Sequence, residues 1–184
     1  MGSEPKRDEA MFPDQFVTTR LALRPVRASD ARAIFDSYGQ DQDVTRYLTW
    51  RPHQSIADAQ SFVQACLRAE TSRTYMIVFE ASGSVIGVFD LRKAGQAKLE
   101  FGYALARRYW GQGLMTEALV EVVKWALRQP GIWRIGAVAD ADNVGSIRVM
   151  EKAGLQREGL LRRWLVHPNT GDVPRDCIIL SRTR

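Results

Sequence analysis

Gly102-Tyr103-Ala104-Leu105-Ala106-Arg107-Arg108-Tyr109-Trp110-Gly111-Gln112-Gly113-Leu114-Met115-Thr116-Glu117-Ala118 is the stretch on which the fold of this chain turns. It runs out of an apolar strand, Lys98 to Leu105, through a glycine-bearing turn and into a long helix. Met115, Ala118, Leu119, Val122, Val123 and Ala126 recur at helical spacing as its buried stripe, and Pro130-Gly131 ends it. A helix start of this kind leaves backbone N–H groups unpaired and pointing outward. The helix dipole favours negative charge there, and glycines let a ligand come close, so the turn suits a pyrophosphate. Thr116 can add a hydroxyl, and Arg107 or Arg108 a positive charge. No Lys-Ser or Lys-Thr follows the turn, which excludes a P-loop. A dinucleotide fingerprint needs a third glycine and an early place in a βαβ unit, and neither is present. A single Gly-x-Gly turn is equally compatible with a purely structural role.

Working outward, Thr19 to Pro25 alternates apolar and polar residues as a first strand. A helix follows from Ser29, with Ala31, Ile34, Phe35 and Tyr38 at helical spacing and Gly39 as its stop. Residues 41–53 read as irregular. A second helix starts at Ser55, where Asp58 can cap the first turn, and buries Ile56, Ala59, Phe62, Val63 and Cys66. Strands over 74–80 and 85–91 join through Ser82-Gly83. Beyond the long helix come a strand over 132–139, a short helix over 144–153 closed by Gly154, and a hairpin, 156–167 and 173–180, around Asn169-Thr170-Gly171-Asp172. This order predicts an α/β (α+β) domain with a mixed, largely antiparallel sheet of about seven strands flanked by about four helices.

The 184 residues suit one domain over 15–184, preceded by a polar, proline-bearing tail over 1–14 that reads as disordered. That tail lacks the apolar core of a signal peptide, and no apolar run approaches the ~20 residues of a membrane span, so the expected compartment is the cytoplasm. Basic residues exceed acidic ones by 26 to 21, but they are dispersed among acids rather than gathered into a stripe. That pattern argues against a nucleic-acid partner and fits a solvated surface favouring a phosphate-rich ligand. Cys66 and Cys177 are far apart and lack metal-ligand spacing, so both read as small core residues and no metal is expected.

Glu100-Phe101-Gly102-Tyr103, then Tyr109-Trp110-Gly111-Gln112-Gly113 and Thr116-Glu117-Ala118, resemble the acetyl-CoA loop of the GNAT acetyltransferases. The likeness is greatest to their RimJ/RimL branch of ribosomal-protein N-terminal acetyltransferases. Asn143-x-x-Ser146 with Glu151-Lys152-Ala153-Gly154-Leu155 resembles the second signature of that branch. The opening Arg20-Leu21-x-Leu23-Arg24, and Gly171 with Asp176 near the end, match as well. The family's Gln/Arg-x-x-Gly-x-Gly/Ala pattern fits literally at Arg108, Gly111 and Gly113. Alignment on Tyr-Trp-Gly-x-Gly puts Trp110, Gly113 and Met115 there instead, and also aligns Thr116-Glu117-Ala118.

The resemblance implies a GNAT fold and acetyl transfer from acetyl-CoA to an amine by direct attack, without an acyl-enzyme. The amine would be a protein N-terminus or a small molecule. The alternative it leaves is a non-catalytic module that binds acetyl-CoA. By the same resemblance the cosubstrate would lie where the fourth and fifth strands splay. Leu105, Ala106, Arg107, Arg108, Gly111, Gln112, Gly113, Leu114, Met115, Thr116, Asn143 and Ser146 would hold it. A backbone N–H at Leu105 would polarise the thioester, and the edge Leu105 to Arg107 would pair with the pantetheine amides. Glu100 is either the general base, acting through a water, or a strand carboxylate paired with a neighbouring arginine. Many GNAT enzymes carry a tyrosine acid where this chain has Met150; Ser146 is then either the proton donor to the thiolate or a helix cap. Asn143 either starts that helix or touches the pantetheine arm. Tyr47, Trp50 and His53 would line the acceptor side, with His53, and behind it His167 and Glu158, as further base candidates. Nothing in the signatures separates a monomer from a homodimer.

Overall fold

The computed structural model describes residues 12–184. Eight strands form one sheet in the order β1-β2-β3-β4-β5-β6-β8-β7. They are β1 (Phe16–Val17), β2 (Leu21–Pro25), β3 (Ser72–Phe79), β4 (Ser84–Lys93), β5 (Lys98–Leu105), β6 (Arg134–Asp140), β7 (Gln156–Leu165) and β8 (Arg175–Thr183). Every neighbouring pair is antiparallel except β5 and β6. Among the described residues, five α-helices accompany them: α1 (Ala31–Ile34), α2 (Gln42–Thr45), α3 (Ile56–Arg68), α4 (Leu114–Arg128) and α5 (Val144–Lys152). The expectation of a mixed, mainly antiparallel α/β domain holds, with one strand and one helix more than the pattern suggested.

The additional strand is the two-residue β1, too short to leave an alternating pattern. The additional helix, α2, lies inside the stretch read as irregular. Asp41 caps it, its Oδ1 accepting the N–H groups of Asp43 and Val44 at 2.8 and 3.2 Å. At the start of the first helical segment the polar group at work is Asp30 rather than Ser29. Its Oδ2 takes the Arg27 N–H at 2.7 Å, and its carboxylate pairs with Arg24. Ser55 and Asp58 open α3 as expected, Asp58 accepting the N–H groups of Gln54 and Ser55. Phe12 and Pro13, assigned to the tail, pack instead. Phe12 is buried, and the Pro13 carbonyl accepts the Tyr75 hydroxyl at 2.7 Å. The rest of that tail, residues 1–11, lies outside the described residues.

Side chains alternate across β5. Leu99, Phe101, Tyr103 and Leu105 join the larger core beneath α4 and α5, while Ala104 joins a smaller one with Ile34, Val63, Met76 and Val88. Both cysteines are buried or half-buried, and burial pushes both thiols up, in keeping with core roles. On α4, Leu114, Leu119, Val122 and Val123 are buried, each stabilising the fold by roughly 1.5–3 kcal/mol. What positions the site is the β5–β6 junction. The two strands pair only from Lys98, Leu99 and Glu100 to Arg134, Ile135 and Gly136. Beyond that point β5 stays on β4 while β6 stays on β8 along its whole length. The sheet therefore opens between Glu100 and Leu105.

Candidate active site

The opening leads into a cleft of about 600 Å³ bounded by β5, the turn before α4, the first turn of α5 and the segment around α2. Leu105 closes its strand side. Ala106 faces Ile86 on β4 and donates its N–H to the Ile86 carbonyl at 2.8 Å. In an antiparallel pair successive residues point their backbone groups to opposite sides. The Leu105 N–H and C=O therefore face the opening. The indole of Trp110 holds that carbonyl at 2.6 Å, and the Ala106 and Arg107 carbonyls accept the N–H groups of Tyr109 and Trp110. So along the edge expected to pair with an extended ligand, the Ala106 N–H and all three carbonyls already have partners, while the Leu105 N–H points into the cleft.

Gly111 and Gly113 lie in the turn at φ of 73° and 76°, left-handed values that favour glycine. Gly113 is the residue before α4, so the free N–H groups of that helix start at the cleft. Gly111, Gly113, Leu114, Met115 and Thr116 all line it. Arg107 lines it too, tied to Asp43 of α2 by an ion pair. Arg108 and Gln112 do not: Arg108 lies over the Tyr109 ring, and the Gln112 amide donates to the Arg108 carbonyl.

Asn143 and Ser146 both reach the cleft, with their backbone roles resolved. Asn143 is the cap of α5, its Oδ1 accepting the Ser146 N–H at 3.2 Å. Ser146 is not a cap. Its hydroxyl lies 2.9 Å from that of Tyr103, which comes across the cleft from β5. Burial, partly opposed by the bond to Ser146, pushes the Tyr103 hydroxyl up to about 12, so it keeps its proton at neutral pH. Tyr103 was legible only as part of the strand motif; nothing in the sequence marks its hydroxyl as Ser146's partner.

The other expected site residues divide. Tyr47 lines the cleft, its ring edge-on to His167 at 6.1 Å. Trp50 and His53 are not brought there. His53 is buried, stacked on Trp50 at 4.9 Å and packed beside Phe62, in the layer of α1 and α3. Burial lowers its basicity, which suits a neutral core imidazole. Glu100 sits where β5 and β6 are still paired, on the face opposite Tyr103, with Arg92 at 3.5 Å. Five residues, about 16 Å of strand, separate it from Leu105. Glu158 pairs with Arg134 and the Ser181 hydroxyl.

Across the opening, β6 ends at Asp140, fully buried. It accepts two hydrogen bonds from Arg175 and one from the Asp142 N–H, and His167 lies 3.5 Å away. Burial pushes this carboxyl up, but the bonds from Arg175 and Asp142 and the arginine charge offset that and hold it below the usual carboxylate range. A carboxylate depressed on folding stabilises the protein above its unfolded value, about 3.9, and the benefit is lost as pH falls through the folded value. Asp140→Asn is expected to cost about 1–3 kcal/mol at pH 7 and progressively less as pH falls below about 4, read from denaturant melts at pH 7 and at acid pH. An equal cost at both would show that the charge is not what Asp140 contributes.

Residues 20–156 match the acetyltransferase (GNAT) domain family. A Bacillus subtilis protein called uncharacterized N-acetyltransferase YoaA is 33% identical over 165 residues, covering 87% of this chain and 92% of its own. Among solved structures, the microcin C7 self-immunity acetyltransferase MccE, in complex with acetyl-CoA and AMP, superposes with a TM-score of 0.83 at 19% identity, covering 96% of this chain and 100% of its own. Mycobacterium smegmatis RimJ, in complex with CoA-disulfide, gives 0.80 at 22% identity over 94% of this chain and 88% of its own. The chain belongs to the GNAT acetyltransferase family, and its fold is shared with that of RimJ.

Proposed function

We propose that this protein transfers an acetyl group from acetyl-CoA to a primary amine, a protein N-terminus or a small molecule, by direct attack. The observation that carries this is the coincidence in one cleft of three features: the Leu105 N–H, the helix start behind Gly113 and the Tyr103–Ser146 hydroxyl pair. The helix start binds the pyrophosphate. The Leu105 N–H stabilises the negative charge that grows on the acetyl oxygen as the C–N bond forms. As the C–S bond breaks, the sulfur takes a proton from Ser146, Ser146 takes one from Tyr103, and solvent returns a proton to Tyr103. The amine's proton leaves to water. Among the described residues, the two acids lining the cleft, Asp43 and Asp142, are already paired with Arg107 and Arg175, so a polycationic acceptor finds no free carboxylate among them.

CoA at about 100 times its dissociation constant is expected to raise the unfolding free energy by about 2.7 kcal/mol, with far less protection from ATP or NADH, read by thermal shift. Equal protection by ATP would reduce the cleft to a generic phosphate site. Incubation with acetyl-CoA and a panel of peptides and small amines should release free thiol with at least one acceptor. Tight binding without thiol from any of them would make the protein a binding module instead.

A further inference from the structure

The opening motif Arg20-Leu21-x-Leu23-Arg24 has no part in the chemistry above, yet its first arginine reaches the ligand-binding turn. Glu117, in the first turn of α4, accepts the Thr18 hydroxyl at 2.6 Å, the Arg20 N–H at 2.9 Å and the Arg20 Nε at 2.7 Å. The guanidinium so fixed donates Nη1 to the Gln112 carbonyl at 3.1 Å, and a Cβ placed on Gly113 would lie 3.8 Å from its Nη2. Burial pushes the Glu117 carboxyl up, but the bonds from Thr18 and Arg20 outweigh this and keep it below the usual range, hence ionised.

A trans peptide points its C=O and the following N–H in opposite directions. Holding the Gln112 carbonyl on Arg20 therefore turns the Gly113 N–H away from Arg20. We propose that Arg20, clamped by Glu117, is a positioning residue for the cosubstrate. It locks the Gln112–Gly113 peptide with its N–H toward the pyrophosphate and places a positive charge beside the turn. Without it the peptide is free to rotate, and the Glu117 carboxylate is left uncompensated near the anion. This rests on the acetyl-CoA reading above.

The test compares CoA with pantetheine, which lacks the pyrophosphate, on the full chain and its Arg20→Ala and Arg20→Lys variants. Calorimetry serves for CoA and ligand-observed NMR for the weaker pantetheine. Arg20→Ala is expected to weaken CoA about 10- to 100-fold and leave pantetheine unchanged. Arg20→Lys keeps the charge but cannot bridge Glu117 and Gln112 together, so it should recover only part of the loss. Equal weakening of both ligands would show general loosening and overturn the proposal, as would unchanged CoA affinity in either folded variant. If Arg20→Ala does not fold, Arg20→Lys alone decides by the same ratio. Failure of the wild-type chain to bind CoA would overturn the cosubstrate reading itself, and this inference with it.

Discussion

Gly113→Val is expected to raise the CoA dissociation constant by at least about 100-fold in a protein that still folds. Gly113 sits at φ 76° and ψ 1° on the boundary of the turn and α4. An L-residue in this region costs roughly 1–2 kcal/mol, and a β-branched one is worse served still. A chain of this size would melt about 2–8 °C lower for that cost, which is a folded protein. The space around Gly113 shows why affinity suffers more than stability. A Cβ there meets no protein atom closer than the Arg20 Nη2 at 3.8 Å, so no core packing is lost, and the backbone shift it forces falls on the N–H groups that open α4. Gly113→Ala carries a similar backbone cost with less bulk and should fall between the two. Calorimetric titration with CoA and a melting curve on each variant separate the contributions. Unchanged affinity in folded Gly113→Val would reduce the loop to a structural turn.

The fold was legible wherever one element carried its own periodicity. β5 lies over Lys98–Leu105 as read, and α4 buries the stripe from Met115 to Ala126. Local rules failed where a side chain two or three residues away set the structure. α2 depends on Asp41 capping a single turn, too short for any apolar stripe to register. Phe12 follows a polar, proline-bearing run, and only the long-range pocket beside Tyr75 and Arg73 draws it into the domain. In the site, the glycine turn could be found because helix-start chemistry is local. The acceptor side could not. Tyr47, Trp50 and His53 are close in sequence and equally aromatic, yet Tyr47 turns to the cleft while the other two stack on each other beside Phe62. Which way each ring faces is decided by α3 and by Asn169, whose amide reaches the Thr45 and Trp50 carbonyls from more than 100 residues away. The pairing of Tyr103 with Ser146 spans 43 residues and was equally out of reach.

That pair is the source of the other large effect. With Tyr103 held near 12, neither hydroxyl of the pair titrates around neutrality, and both can give a proton to a leaving thiolate. Ser146→Ala together with Tyr103→Phe is expected to lower turnover by about 10²–10⁴-fold while CoA affinity moves by no more than a few-fold. The single variants should cost less, because the remaining hydroxyl still faces the cleft, so the two losses will not add. Since the missing function is proton donation, raising the pH should not restore the double variant. Glu100→Gln should leave turnover and its pH profile close to wild type, because this side chain lies about 16 Å of strand from Leu105 and pairs with Arg92. Pre-steady-state rates from pH 6 to 10, with melting curves for each protein, distinguish the two routes. A double variant with wild-type turnover would leave the thiolate to be protonated by solvent. A Glu100→Gln loss that shrinks as pH rises would instead make that carboxylate the general base, against its ion pair with Arg92.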